Sequence, residues 1–415
     1  MSFVSFVLVT LISFNVFAGQ IPDFLKNPFA ATITSTLVTA ESSNAFNRGT
    51  VTLLPSRKSV PLMERAVDFN YSFRLRAEKK APLVFLIPGT GGTSESAGVL
   101  LLAEQLFKMG YHVVTVDNPF SWRFAVAGSK SGLPGFTPRD ATDLYGALKK
   151  VNKALRTDYG VQPQNFSLVG YSLGGLQSLF VNEIDQQTRD FGFKKVLIIN
   201  PPANLLYAVE KLDALADVKN QMTANERQNV SFKVQRVTTA VTSGKVSLRD
   251  PMQMDKIFKQ ERFTDKEMSY LIGNEFHDSL GGLIFSTQQV HDSGILKIPA
   301  TKYKRNARNA EIAKISFSQY MNQFLLPNLK IRHGNDYTVE QLNFDSSIFR
   351  FADSIRANDS LYLVTTVDDL FSKPSDIAWM QKQFGSRALI LPFGGHCGFF
   401  QVPAFQGQLK HIFAR

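Results

Sequence analysis

Cysteine is nearly absent: Cys397 stands alone in 415 residues, so the chain has no internal disulfide. Histidine is scarce too, at six. Acidic residues are outnumbered, 35 against 46 Lys and Arg, which leaves a net charge of +11. Basic residues cluster at Arg74, Arg76, Lys79 and Lys80, and again at Lys302, Lys304, Arg305 and Arg308. No zinc-finger spacing, basic-region heptad or RNA-binding aromatic signature accompanies them. A nucleic-acid partner is therefore not expected. A solvated basic surface is, with at most a weak attraction to anionic lipid or envelope polymer. Internal repeats and low-complexity tracts are missing. What is present is a globular composition, 44% hydrophobic and 20% charged, with 35 phenylalanines. That many rings suit a large apolar core with an apolar cavity.

The one long apolar run lies at the start, "MSFVSFVLVTLISFNVFAGQ". It ends in Val16-Phe17-Ala18, whose small residues at the first and third positions suit cleavage after Ala18. Residues 1–18 thus read as a signal peptide, although no Lys or Arg opens the run. A retained anchor is the alternative, but the run is shorter than the span of about 20 residues that a membrane requires. No cysteine follows the cut, which excludes a lipoprotein anchor. Export to a periplasm or beyond is the expectation, and a lone cysteine agrees with it.

From residue 81 the chain alternates short apolar runs with helical patterns. "PLVFLIPG" (82–89), "YHVVTVDNP" (111–119), "FSLVG" (166–170) and "KVLIINPP" (195–202) read as strands buried on both faces. Between the second and third lies a helix with Leu144, Leu148, Val151 and Leu155 at helical spacing. The rhythm predicts an α/β fold, a mostly parallel sheet with crossover helices. Residues 203–345 break it: they are polar and mostly helical in pattern. A stripe of Leu206, Val209, Leu212 and Leu215 there predicts packing on the sheet, with contact to a substrate as the alternative. Strands resume at "SLYLVTTV" (360–367) and "ALILPF" (388–393). The expected organisation is an N-terminal extension, 19–80, carrying one or two antiparallel edge strands near 67–77. Core halves at 81–202 and 346–415 then flank a cap insertion, 203–345.

Gly170-Tyr171-Ser172-Leu173-Gly174 sits where a buried strand turns into a helix. A G-x-S-x-G in that setting places its serine on a strained turn, hydroxyl raised above the sheet edge. Glycines two before and two after are needed where a Cβ would clash. The helix that follows offers its N-terminal N–H groups to a developing oxyanion.

A serine hydroxyl needs a base, and histidine has the right pKa near neutrality. His396 alone falls in a loop directly after a sheet strand, among Gly394, Gly395 and Gly398. An acid to orient it is expected after the preceding strand, where Asp368 and Asp369 stand. Asp369 is favoured, with Asp368 the alternative and the other free to cap a helix. Two oxyanion donors are expected: the Leu173 N–H, and that of Thr90 or Gly91 in "IPGTGGTSES" (87–96). That loop lacks the lysine of a phosphate-binding loop and does not match G-x-G-x-x-G.

These residues together resemble the α/β-hydrolase-fold serine hydrolases, and within them the abhydrolase-domain esterase and lipase group, whose "GGHxGF" segment carries the histidine. The likeness covers about residues 80–202 and 346–413. It implies a Ser172–His396–Asp369 triad, no metal and no cofactor, and hydrolysis of a small-molecule or lipid-like ester. It departs from many members at Pro88-Gly89, where they have His-Gly. The same triad serves an acyltransferase, and an idle copy of the fold serves as an envelope binding protein; both stay open. Cys397 reads as a small buried neighbour of the histidine, since the chain builds its turn around Ser172.

Overall fold

The computed structural model describes residues 21–414 apart from positions 39, 42, 58, 64 and 65; the expected signal peptide, 1–18, lies outside them. Eight strands form one sheet: β1 Asn47–Val51, β2 Phe69–Arg74, β3 Leu83–Ile87, β4 His112–Val116, β5 Phe166–Tyr171, β6 Lys195–Ile199, β7 Leu361–Thr366 and β8 Ala388–Leu391. They lie in the order β1-β2-β4-β3-β5-β6-β7-β8. β2 runs antiparallel to both its neighbours, and the remaining pairings are parallel.

Alternation along each strand divides the core between two faces, because successive side chains point to opposite sides. Leu83, Phe85 and Ile87 pack on one face, with the helices α3 Trp122–Ala127, α4 Thr137–Tyr159 and α5 Leu173–Thr188. Val84 and Leu86 pack on the other, with α1 Pro28–Leu37, α2 Ala97–Lys108 and the last helix, Pro403–Phe413. Phenylalanine fills both layers. Phe85, Phe166 and Phe191 meet with centroids 5.1 to 6.3 Å apart on the first, and Phe399, Phe400 and Phe405 form a second triangle opposite.

Between β6 and β7 the chain is helical wherever it is regular. It includes α6 Leu205–Asp217, α7 Ala224–Thr242, α8 Pro251–Glu261 and α9 Asp265–Val290. The long helix α9 starts on a capping box, Thr264 and Glu267 each bonding the other's backbone N–H. It packs on α6, α3 and α1, and so bridges cap, core and N-terminal extension. None of the described helices is long and apolar enough to cross a membrane.

One element of the extension was not legible as a helix. Asn27 caps α1 by accepting from the N–H groups of Phe29 and Ala30, with Pro28 in the first turn. This helix lies against the loop that carries His396.

Candidate active site

Every residue singled out for chemistry stands just past the C-terminal end of a parallel strand: residues 88–92 after β3, Ser172 after β5, Asp368 and Asp369 after β7, His396 after β8. The strands end level, with Ile87 opposite Gly170, Tyr171 opposite Ile199 and Thr366 opposite Leu391. Short loops therefore suffice to bring the side chains together.

Ser172 has φ 55° and ψ −131°, a conformation that side-chain-bearing residues rarely adopt. The turn is held by the Ser172 N–H, which donates to the Ile199 carbonyl at 2.8 Å. It is possible only with glycine on both sides. A Cβ at Gly170 would sit 2.2 Å from the Gly174 carbonyl oxygen, and one at Gly174 would sit 2.2 Å from that of Pro88.

His396 Nε2 lies 2.8 Å from Ser172 Oγ, and its Nδ1 lies 2.9 Å from Asp369 Oδ1. All three side chains are buried. The Phe371 ring meets the imidazole edge-on at 4.7 Å. The two acids have separate tasks. Asp369 also accepts from the Phe371 N–H at 3.0 Å. Asp368 turns away and accepts the N–H groups of Gly394 and Gly395 at 3.2 and 2.9 Å, fixing the histidine loop. Burial pushes the Asp368 carboxyl up, against those two bonds.

Two partners had no part in the sequence reading. Asn200, just past β6, donates from Nδ2 to Asp369 Oδ2 at 2.6 Å. Its φ of 41° is one that asparagine tolerates better than most residues. Thr32, on α1, accepts the His396 N–H at 2.9 Å and donates to the Pro28 carbonyl at 2.6 Å. The N-terminal extension thus holds the backbone of the His396 loop in place through one hydroxyl. An asparagine directly after a buried strand, in "LIINPP", was the available signal for the first; nothing in the sequence marked the second.

The oxyanion expectation needs one correction. The Gly91 N–H donates to the Phe120 carbonyl at 3.0 Å, so it is not free for a ligand. Gly91, at φ 72°, instead turns the loop, leaving the N–H groups of Thr90 and Leu173 without a hydrogen-bond partner among the described residues. Asn118 braces this loop, its Nδ2 donating to the Pro88 carbonyl at 2.7 Å. Leu173 opens α5, so its N–H adds to the positive end of that helix.

Cys397 is buried next to His396, and burial pushes its thiol well up, so it stays protonated. Among the described residues no cluster of His, Cys, Asp and Glu has the arrangement of a metal site.

Two cavities meet at Ser172, Thr90 and His396. The smaller, about 80 Å³, is walled by Leu173, Val209, Leu212, Phe276 and Phe317. The stripe on α6 was expected to pack on the sheet or else to face a substrate; its Val209 and Leu212 are core residues that also face this cavity. The larger, about 480 Å³, runs between α1 and the cap, past Val234, Ile257, Phe263 and Ile272 to Cys397. Phe276 of α9 stands between the two and borders both.

Strand order, antiparallel β2, the serine turn between β5 and α5 and the order serine, acid, histidine define the α/β-hydrolase fold. The chain has that fold, with a large helical cap. No family profile matches it. A phospholipase A1 of Vespa affinis is 28% identical over 128 residues, which is 29% of this chain and 37% of that protein. The chain thus spans little more than a third of that relative's length. Among solved structures, a thermophilic carboxylesterase cloned from a metagenomic library aligns over 95% of this chain and 97% of its own, at 14% identity and a TM-score of 0.45. An esterase of Pyrococcus furiosus aligns over 90% and 93%, at 11% identity and 0.42. A membrane phospholipase A, a bacterial virulence factor, aligns over 93% and 92%, at 15% identity and 0.42.

Proposed function

We propose that the protein is a serine hydrolase that cleaves carboxylic esters of apolar acyl groups through an acyl-enzyme on Ser172. The observation that carries this reading is the buried chain Ser172–His396–Asp369, with unengaged N–H groups at Thr90 and Leu173, at the mouth of an apolar cavity.

His396 Nε2 takes the Ser172 proton as Oγ attacks the ester carbonyl. The resulting imidazolium is stabilised by Asp369, whose other oxygen is held by Asn200. The oxyanion is met by the Thr90 and Leu173 N–H groups and the α5 dipole. His396 then returns the proton to the leaving alcohol. Water repeats the sequence, with His396 again as base, and frees the acid.

The smaller, more apolar cavity suits the acyl chain. The larger one, which adds Ser35, Thr36, Thr238, Glu275 and Ser279 to its walls, suits the alcohol and then the water. Its size also admits an alcohol acceptor in place of water, which is the acyltransferase reading.

Hydrolysis of p-nitrophenyl esters from acetate to palmitate tests this. Turnover by the wild type that rises with acyl length and then falls once the cavity is full is expected, and Phe276→Ala is expected to move the optimum to longer chains. Adding a primary alcohol and measuring transfer product separates the transferase from the hydrolase. Lack of turnover of every ester, with and without acceptor, would overturn the proposal.

A further inference from the structure

Beyond Thr90, Ser172 and His396, the smaller cavity is apolar apart from Gln177 and one further stretch of wall. There, Gly135, Thr137 and Asp140 of the α3–α4 connection and the start of α4 face Tyr320 of the cap. Asp140 is 3% exposed. One of its oxygens, Oδ2, accepts the Gly135 N–H at 2.7 Å. The other, Oδ1, has no hydrogen-bond partner among the described residues, although the residue lines the cavity. Its neighbours are occupied elsewhere. Tyr320 donates its hydroxyl to the Pro134 carbonyl at 2.6 Å. Gln177, also on the wall, accepts from Asn118 Nδ2 at 2.8 Å. Arg139 extends to Asn328 and the Leu133 carbonyl rather than to Asp140.

A carboxyl in such a place is costly. Burial pushes it up to about 7, and only the nearby Arg139 charge and the Gly135 N–H pull it back. A fold that needed Asp140 merely to hold the Gly135 turn would be served by one oxygen. An acceptor left open inside an apolar acyl cavity is a recognition element, because a polar group there without a partner is penalised and one with a partner is rewarded.

Building on the proposed ester hydrolysis, we propose that Asp140 is a specificity-determining residue that selects acyl chains carrying a hydroxyl group, which donates to Oδ1. A hydroxyl fits better than an ammonium, since Arg139 already stands beside the carboxyl and an added cation would meet it. The apolar walls from Val209, Leu212 and Phe317 hold the methylene chain on either side. A site built to bond a hydroxyl discriminates strongly against the analogue lacking it.

The test compares p-nitrophenyl octanoate with octanoates hydroxylated at successive carbons, on wild type, Asp140→Asn and Asp140→Leu. The readout is the ratio of kcat/KM for each hydroxylated ester to that for the plain one, so loss of folded protein cancels. At one hydroxyl position the wild-type ratio is expected to exceed the Asp140→Leu ratio by roughly ten- to a hundred-fold, with Asp140→Asn between them. Equal ratios in wild type and Asp140→Leu at every position would overturn the proposal while leaving ester hydrolysis intact. Failure of the wild type to turn over plain and hydroxylated esters alike would instead defeat the hydrolase reading, and the specificity with it.

Discussion

Asp369→Asn is expected to lower kcat for ester hydrolysis about ten-thousand-fold, with little change in KM. The reason is the single bond from His396 Nδ1 to Asp369 Oδ1 at 2.9 Å. An asparagine amide in that place favours the wrong tautomer and cannot stabilise the imidazolium. Asp368→Asn provides the contrast. Asp368 makes no contact with the imidazole and acts through the N–H groups of Gly394 and Gly395. Losing one charge-assisted bond there loosens the loop and is expected to cost roughly ten-fold. Steady-state kinetics on the pair, with circular dichroism to confirm folding, separates the two roles. Equal losses would mean that both acids act by shaping the loop, and the assignment of Asp369 would fall.

Gly174→Ala is expected to be among the most disruptive single changes in the chain. Its new Cβ would lie 2.2 Å from the Pro88 carbonyl oxygen and 2.4 Å from that of Ile87. Both are main-chain atoms where β3 enters the oxyanion loop, and neither can rotate away. The cost is at least about 3 kcal/mol, as for forced overpacking. The shift also displaces Thr90, so activity falls further than stability alone requires. Gly146→Ala on α4 is the matched control. Nothing beyond the helix's own backbone lies within 4 Å of its Cβ position, and alanine is the better helix former. Thermal denaturation should show the first variant several degrees lower or insoluble and the second unchanged or slightly higher.

The sheet was legible because its strands are continuous apolar runs, and "PLVFLIPG" and "YHVVTVDNP" contain β3 and β4 whole. The serine turn was legible for a different reason: two glycines are demanded by contacts of 2.2 Å, so the sterics are written into residue types. The histidine loop advertises itself through its glycines in the same way. Asn200 and Thr32 carry no such mark, since an asparagine or threonine reads the same whether it faces water or a carboxylate. Which neighbour each has depends on long-range packing: Thr32 is brought to His396 by α1 docking on the far side of the sheet. Gly91 was misjudged because sequence shows a flexible loop but not which of its N–H groups the loop uses for itself. The α6 stripe shows the same limit. Its spacing predicts a buried face, but a face that lines a cavity and one that fills a core have the same period.

The most direct measurement is to treat the protein with a fluorophosphonate and map the adduct by peptide mass. A serine activated by His396 is expected to react stoichiometrically, with the label on the peptide containing Ser172 and none on Ser172→Ala. A full-length, folded protein that takes up no label, or takes it up at another residue, would contradict the account, because the geometry around Ser172 would then activate nothing.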